Sequence, residues 1–222
     1  MINILLLVGE STNTNRKVDN MSNIVRLVTP VGVGKYVFIN EPQTKFDPNG
    51  IFNVSLVMSE QDATPLTTKL DEQLELARTQ AMENAKPQKR ESLTTNKPYV
   101  KEYDDDGVET GNIEFKFKMT AKYTTRDGEV RERKPTIVDA KKNPVNEIVG
   151  SGSKLKIAFN ARPYYMPSAN AYGVSCFLSA VQVIELRGVD SSDFGEEDGF
   201  VSTAVAEEVV KVTAKETTTS DF

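Results

Sequence analysis

Histidine is absent from this 222-residue chain, and cysteine occurs once, as Cys176. Without an imidazole, Ser-His-Asp triads and histidine acid/base catalysis are excluded, and a single thiol leaves no zinc-ligand set of the usual composition. One cysteine forms no internal disulfide, which suits a reducing cytoplasm. Long apolar runs are also lacking. The opening Met1-Ile2-Asn3-Ile4-Leu5-Leu6-Leu7-Val8 is far shorter than the roughly 18 residues of a membrane span. It has neither a basic leader nor a small-residue cleavage site, so no signal peptide or membrane association is expected. These absences remove much of enzyme chemistry, and the expectation is a non-enzymatic protein without metal or organic cofactor.

The net charge is −5, which at first sight argues against a polyanionic partner. The charges are unevenly placed, however. Residues 190–222 hold nine acids and two bases, while Asn112 to Arg187 holds thirteen bases and seven acids. A basic body and an acidic tail share one chain. This suggests a folded domain over 21–189 and an acidic, mostly unstructured tail over 190–222. The polar, turn-rich residues 9–20 ahead of Met21, itself a second possible start, suggest residues 1–20 as a disordered extension, the alternative being an extra edge strand.

Within the basic body, two stretches alternate apolar and polar residues strictly. Ile113, Phe115, Phe117, Met119, Ala121 and Tyr123 interleave with Glu114, Lys116, Lys118, Thr120 and Lys122; Leu155, Ile157, Phe159 and Ala161 interleave with Lys154, Lys156, Ala158, Asn160 and Arg162. Each is a half-buried β-strand with a cationic wet face. The second runs into Pro163-Tyr164-Tyr165. Lysines at spacing two stand about 7 Å apart along a strand, and with aromatic rings beside them they offer a single-stranded nucleic acid cations for its phosphates and flat surfaces for its bases.

Elsewhere, β-branched and aromatic residues over 35–40 and 51–58 predict two strands. Thr64-Pro65 predicts a helix start, with Leu66, Leu70, Leu74, Ala77 and Ala81 forming one apolar stripe as far as about Lys86. Residues 88–112 read mostly as loop, with Asp104-Asp105-Asp106-Gly107 the sharpest turn. Asp127-Gly128 predicts a hairpin turn into a strand over about 129–138, and Gly150-Ser151-Gly152-Ser153 a turn before the second basic strand. A last strand over 173–186 presents Val174, Cys176, Leu178, Ala180, Ile184 and Leu186 on one face, which buries the cysteine and makes it inert. The pattern fits a mainly β protein: an oligonucleotide-binding (OB) barrel of five to six strands with one helix inserted early.

The candidate nucleic-acid contacts are therefore Lys116, Lys118, Lys122, Lys154, Lys156 and Arg162 as cations, and Tyr164 and Tyr165 as stacking rings. The acidic tail ends in Asp221-Phe222. An exposed terminal aromatic after an acidic residue is a natural partner contact, and the tail's charge lets it compete with DNA for a basic groove. The consecutive carboxylates Asp104, Asp105 and Asp106 splay apart and suit a solvated hairpin loop better than a nuclease metal site.

Five segments, EFKFKM over 114–119, GSGSKLKI over 150–157, Pro163-Tyr164, VQVIEL over 181–186 and the final Asp221-Phe222, together resemble the single-stranded DNA-binding proteins of short-tailed phages, the gene-2.5 type. The likeness runs in order from about Met21 to the C-terminus. It implies an OB barrel, a homodimer, DNA contacts at Lys116, Lys118, Lys154, Lys156 and Tyr164, and contact with the phage DNA polymerase and helicase-primase through Phe222. Met166 stands where the family pattern has a second aromatic, which implies either weaker stacking there or stacking taken over by Tyr165. A role in phage DNA replication, recombination and repair, in the host cytoplasm, follows. The rival readings are a β-barrel structural or assembly protein of a phage particle and a metal-dependent nuclease.

Overall fold

The computed structural model describes residues 24–45 and 47–187, and the expected N-terminal extension and acidic tail lie outside them. In chain order the strands are β1 (Val25–Val28), β2 (Gly32–Gln43), β3 (Ile51–Ser59), β4 (Thr94–Asn96), β5 (Tyr99–Tyr103), β6 (Glu109–Thr120), β7 (Lys122–Thr124), β8 (Val130–Glu132), β9 (Thr136–Val138), β10 (Lys154–Met166) and β11 (Ala171–Glu185). Helix α1 (Glu60–Asn84) follows β3.

Five long strands neighbour one another in the order β2-β3-β6-β11-β10. The ring closes where Lys154 and Leu155 of β10 pair with Val33 and Gly32 of β2. Every junction is antiparallel except β6 with β11, which meet in parallel at Lys118 and Phe177. This is the closed, mainly β barrel of the OB type with an early helix, as expected. Glycine is needed at the closure. A β-carbon on Gly32 would stand 2.8 Å from the carbonyl oxygen of Val57, and one on Gly34 2.8 Å from a methyl carbon of Leu155. Inward residues of the two alternating strands fill the barrel: Phe115, Phe117, Leu155, Ile157 and Phe159 are fully buried, with the Phe117 and Phe159 rings 4.8 Å apart. Helix α1 lies mainly on β10 and β11 and adds Ala63, Leu66, Leu70 and Leu74 to the same core.

The helix starts earlier than Thr64-Pro65 suggests. Ser59 is its N-cap, its hydroxyl oxygen accepting the Asp62 N–H at 3.1 Å, which satisfies one of the donors a helix start leaves free. Thr64 instead donates its hydroxyl to the Glu60 carbonyl at 2.9 Å, so Pro65 sits inside the helix. Residues 88–112 are not mostly loop either: β4 and β5 lie there, and β6 begins at Glu109. β4 (Thr94-Thr95-Asn96) is wholly polar and β5 (Tyr99-Val100-Lys101-Glu102-Tyr103) shows no apolar alternation; each depends on a neighbour, β4 on β11 and β5 on β6. The Asp104 turn between β5 and β6 is present, its carboxylate accepting the N–H groups of Asp106 and Val108.

The basic strand expected to reach Tyr123 breaks at Ala121, and Lys122 and Tyr123 belong to a separate two-stranded sheet, β7 with β8. The strand expected over 129–138 is likewise divided into β8 and β9 around Pro135, which has no N–H for a ladder. The last strand changes phase. Ala158 pairs with Ala180 but Phe159 with Leu178, leaving Ser179 as an extra residue in β11. Beyond this bulge Val181 and Val183 point inward, while Ile184 and Leu186 are exposed, contrary to the simple alternation. Cys176, before the bulge, is buried as expected, and burial pushes its thiol pKa up to about 12.

Candidate nucleic-acid interface

The outward faces of β3, β6 and β11 form the floor of an open groove of about 510 Å³. Asn53 and Ser55 of β3, Lys116 and Lys118 of β6 and Ser175 of β11 line it, with Lys97-Pro98-Tyr99 along one side and Tyr164 at its margin. The alternation that buries Phe115, Phe117 and Met119 is what turns Lys116 and Lys118 outward. Lys118 has no carboxylate at ion-pair distance among the described residues, and Lys116 is 3.6 Å from Glu114 on its own strand. Both ammonium groups are therefore available to phosphates.

Tyr164 is held in place. The Asn96 side-chain amide donates to its hydroxyl at 3.1 Å, and Asn96 and Gly173 are cross-strand partners. Gly173 also faces Tyr164 across the β10–β11 pair, and a β-carbon there would be 2.9 Å from the Tyr164 hydroxyl oxygen. The missing side chain is what lets the ring fold across β11 toward β4. On the opposite face of β10, Tyr165 pairs with Tyr172, which packs partly against the core. Adjacent residues of a strand point to opposite faces, so the two tyrosines do not form one stacking platform.

Other expected residues are dispersed. Arg162 faces outward from β10 opposite Ser175, one strand beyond the groove floor. Lys156 pairs with Gln182, five residues along β11 from the Phe177 that neighbours Lys118, a separation of about 15 Å. Lys154 lies beside Val33 at the barrel closure and is ion-paired with Glu185 at 2.6 Å, which holds the Glu185 carboxyl below its ordinary pKa. Lys122, on β7, pairs with Glu132 at 3.2 Å. The two lysine pairs thus do not meet on one face: Lys116 and Lys118 line the groove, whereas Lys154 and Lys156 stand two strands away around the barrel. Asp221 and Phe222 lie outside the described residues.

Two aromatic residues not expected from the sequence complete the face. Phe38, Asn53, Lys118, Phe177 and Asn160 follow one another as cross-strand partners on β2, β3, β6, β11 and β10. Phe38 is 41% exposed and Phe177 half-buried, so the row carries one ring next to Lys118, on β11, and another two strands away, on β2. Phe177 was detectable in principle, as an aromatic at an outward position between the buried Cys176 and Leu178. Phe38 was not, because a register shift between Lys35 and Phe38 changes the phase of β2.

Lys35, cross-strand partner of Ser55, is tied down by an ion pair to Glu102. Glu102 also accepts from Asn112 and Thr110 and is only 11% exposed. These donors, Lys35 first, lower its pKa from 4.5 to about 2. The bridge links β2 to β5 across the end of the groove floor and is structural in kind.

A closed five-strand barrel with a cationic, aromatic-flanked groove on its outer face is an oligonucleotide-binding-type module. The family model of the single-stranded DNA-binding protein of bacteriophage T7 matches residues 32–186. The chain is 29% identical over 159 residues to the single-stranded DNA-binding protein of enterobacteria phage T3, spanning 66% of this chain and 67% of that one. It is 27% identical over 191 residues to the corresponding protein of Escherichia phage T7, spanning 78% and 81%. The crystal structure of gp2.5, the single-stranded DNA-binding protein encoded by T7, superposes with a TM-score of 0.63 at 24% identity, covering 81% of this chain and all of that one. The C-terminally truncated single-stranded DNA-binding protein of phage Enc34 shares the fold at a TM-score of 0.50 and 12% identity, over 74% of this chain and 87% of that one. The chain belongs to the T7-type family of phage single-stranded DNA-binding proteins.

Proposed function

We propose that this protein coats single-stranded DNA with little sequence preference during replication and recombination of a phage genome in the host cytoplasm, without catalysing a reaction. The observation that carries the reading is the groove in which Lys116 and Lys118 stand side by side with Tyr164 at the margin. Ammonium groups at strand spacing track a phosphate backbone, and a fixed ring accepts any base, since every base has a π-face. The groove is open rather than enclosed, in keeping with sequence-tolerant binding. The acidic residues of 190–222 compete electrostatically with DNA for this surface, and Asp221-Phe222 recruits the phage DNA polymerase and helicase-primase; the working unit is a homodimer. Charge distribution and family resemblance support these finer assignments.

Titration of labelled oligo-dT at several salt concentrations, beside a duplex of equal length, tests the reading. Tight, salt-sensitive binding of the single strand and much weaker binding of the duplex are expected. Equal affinity for both, or no binding at low salt, defeats it.

A further inference from the structure

Between β6 and β9 the chain leaves the barrel to make the β7–β8 hairpin, which contributes neither to the core nor to the groove lining. Residues 122–134 carry five bases, Lys122, Arg126, Arg131, Arg133 and Lys134, against three acids. Lys122 pairs with Glu132 and Arg131 with Glu129. Arg126 and Lys134 are exposed and have no carboxylate at ion-pair distance among the described residues. Tyr123 is 41% exposed and has the Arg133 guanidinium over its ring at 5.1 Å.

The hairpin is rooted at one end of the groove. Arg133 donates through its side-chain Nε to the Thr120 carbonyl and through its backbone N–H to Ala121, both at 2.8 Å, and the Lys122 N–H donates to Asn49 at 3.0 Å. Thr120 is the cross-strand partner of Ile51, which lines the groove, and lies two residues beyond Lys118 on the same strand. A DNA strand that passes Tyr164, Lys116 and Lys118 therefore meets Thr120 next and the hairpin after it. A ring stiffened by a stacked guanidinium, with unpaired cations alongside, is chemistry suited to a base and its phosphates.

We propose that the β7–β8 hairpin is a second contact element for single-stranded DNA, reached only by strands that extend past the groove, with Tyr123 stacking a base and Arg126 and Lys134 contacting phosphates. The inference rests on the groove being the primary DNA site and extends its footprint.

The test is a ladder of oligo-dT lengths bracketing the roughly 4–16 nucleotides that one OB fold occupies, titrated with the full chain, Tyr123→Ala, and the double variant Arg126→Ala with Lys134→Ala. The shortest bound strands are expected to keep wild-type affinity within about twofold, and long strands to weaken by roughly 5- to 20-fold. For long strands the log-log salt slope of the double variant falls by about 1.4, two phosphates at about 0.7 each. Wild-type affinity and slope at every length, or an equal loss at every length, overturns the proposal. Failure of the wild-type chain to bind any single strand overturns the groove reading itself and this inference with it. Thermal unfolding of both variants checks folding; should Tyr123→Ala unfold, the double variant decides, since neither of its side chains has an ion-pair partner among the described residues.

Discussion

Replacing Gly173 by alanine tests how Tyr164 is held and whether its ring matters. The new β-carbon would lie 2.6 Å from the Asn96 carbonyl oxygen, 2.9 Å from the Tyr164 hydroxyl oxygen and 3.0 Å from the Asn96 β-carbon. The first of these is backbone, so β4 has to move as well as the tyrosine. Overpacking of this kind costs about 1–3 kcal/mol, and parting Tyr164 from Asn96 forfeits a hydrogen bond worth about 1 kcal/mol net. At about 2–4 °C per kcal/mol for a domain of this size, Gly173→Ala lowers Tm by roughly 5–15 °C. Losing the ring as a stacking surface removes about 1–3 kcal/mol of binding, a roughly 5- to 150-fold rise in Kd for oligo-dT. Tyr164→Phe separates the two effects, because it keeps the ring and loses only the bond to Asn96; its Tm drops by about 2–4 °C and its Kd changes by less than about threefold. Differential scanning calorimetry and fluorescence titration read both quantities. An unchanged Tm for Gly173→Ala would refute the close approach of β4 and β11, and a lowered Tm with unchanged Kd would refute the role of Tyr164.

Three further outcomes follow from the same geometry. The pKa of Glu102 is depressed to about 2, so its contribution to stability is present above its unfolded value of 4.5 and is lost as pH falls from there through about 2; in acid titrations Glu102→Gln is less stable than wild type at neutral pH, and the gap closes below pH 4.5, whereas a constant gap would refute the linkage. Buried Cys176, its pKa pushed up to about 12, stays unreactive toward a thiol reagent in the folded chain and reacts once denaturant unfolds it; rapid labelling without denaturant would contradict this. Lys154→Ala with Lys156→Ala, removing the pair away from the groove, weakens oligo-dT binding less than removal of the Lys116 and Lys118 pair, and the opposite ranking would move the site to β10.

Both alternating strands, the apolar stripe of the helix and the turns at Asp104, Asp127 and Gly150 were legible because each is a local signal of period or turn chemistry. The barrel was expected as a class, but which strands close it was not legible, since closure depends on β10 meeting β2 across more than a hundred residues through Gly32 and Gly34. For the site, Lys116, Lys118 and Tyr164 could be read from alternation and chain order, and the structure gathers these three around one groove. The rest lie away from that groove for particular reasons. The break at Ala121 carried Lys122 onto a hairpin, the pleat turned Tyr165 away from Tyr164, and barrel curvature carried Lys154 and Lys156 two strands away from Lys118. Phe38 and Phe177 join the face through cross-strand register, which no one-dimensional period contains.

The central claim is that Lys116 and Lys118 contact the DNA backbone within the groove. Its most direct test is the salt dependence of oligo-dT binding by the wild-type chain and by Lys116→Ala with Lys118→Ala. At about 0.7 per phosphate on a single strand, the double variant should bind more weakly, with a slope of log Kobs against log salt shallower by about 1.4. A slope identical to wild type would mean that these two ammonium groups touch no phosphate, and the groove across β3, β6 and β11 would not be the DNA-binding site.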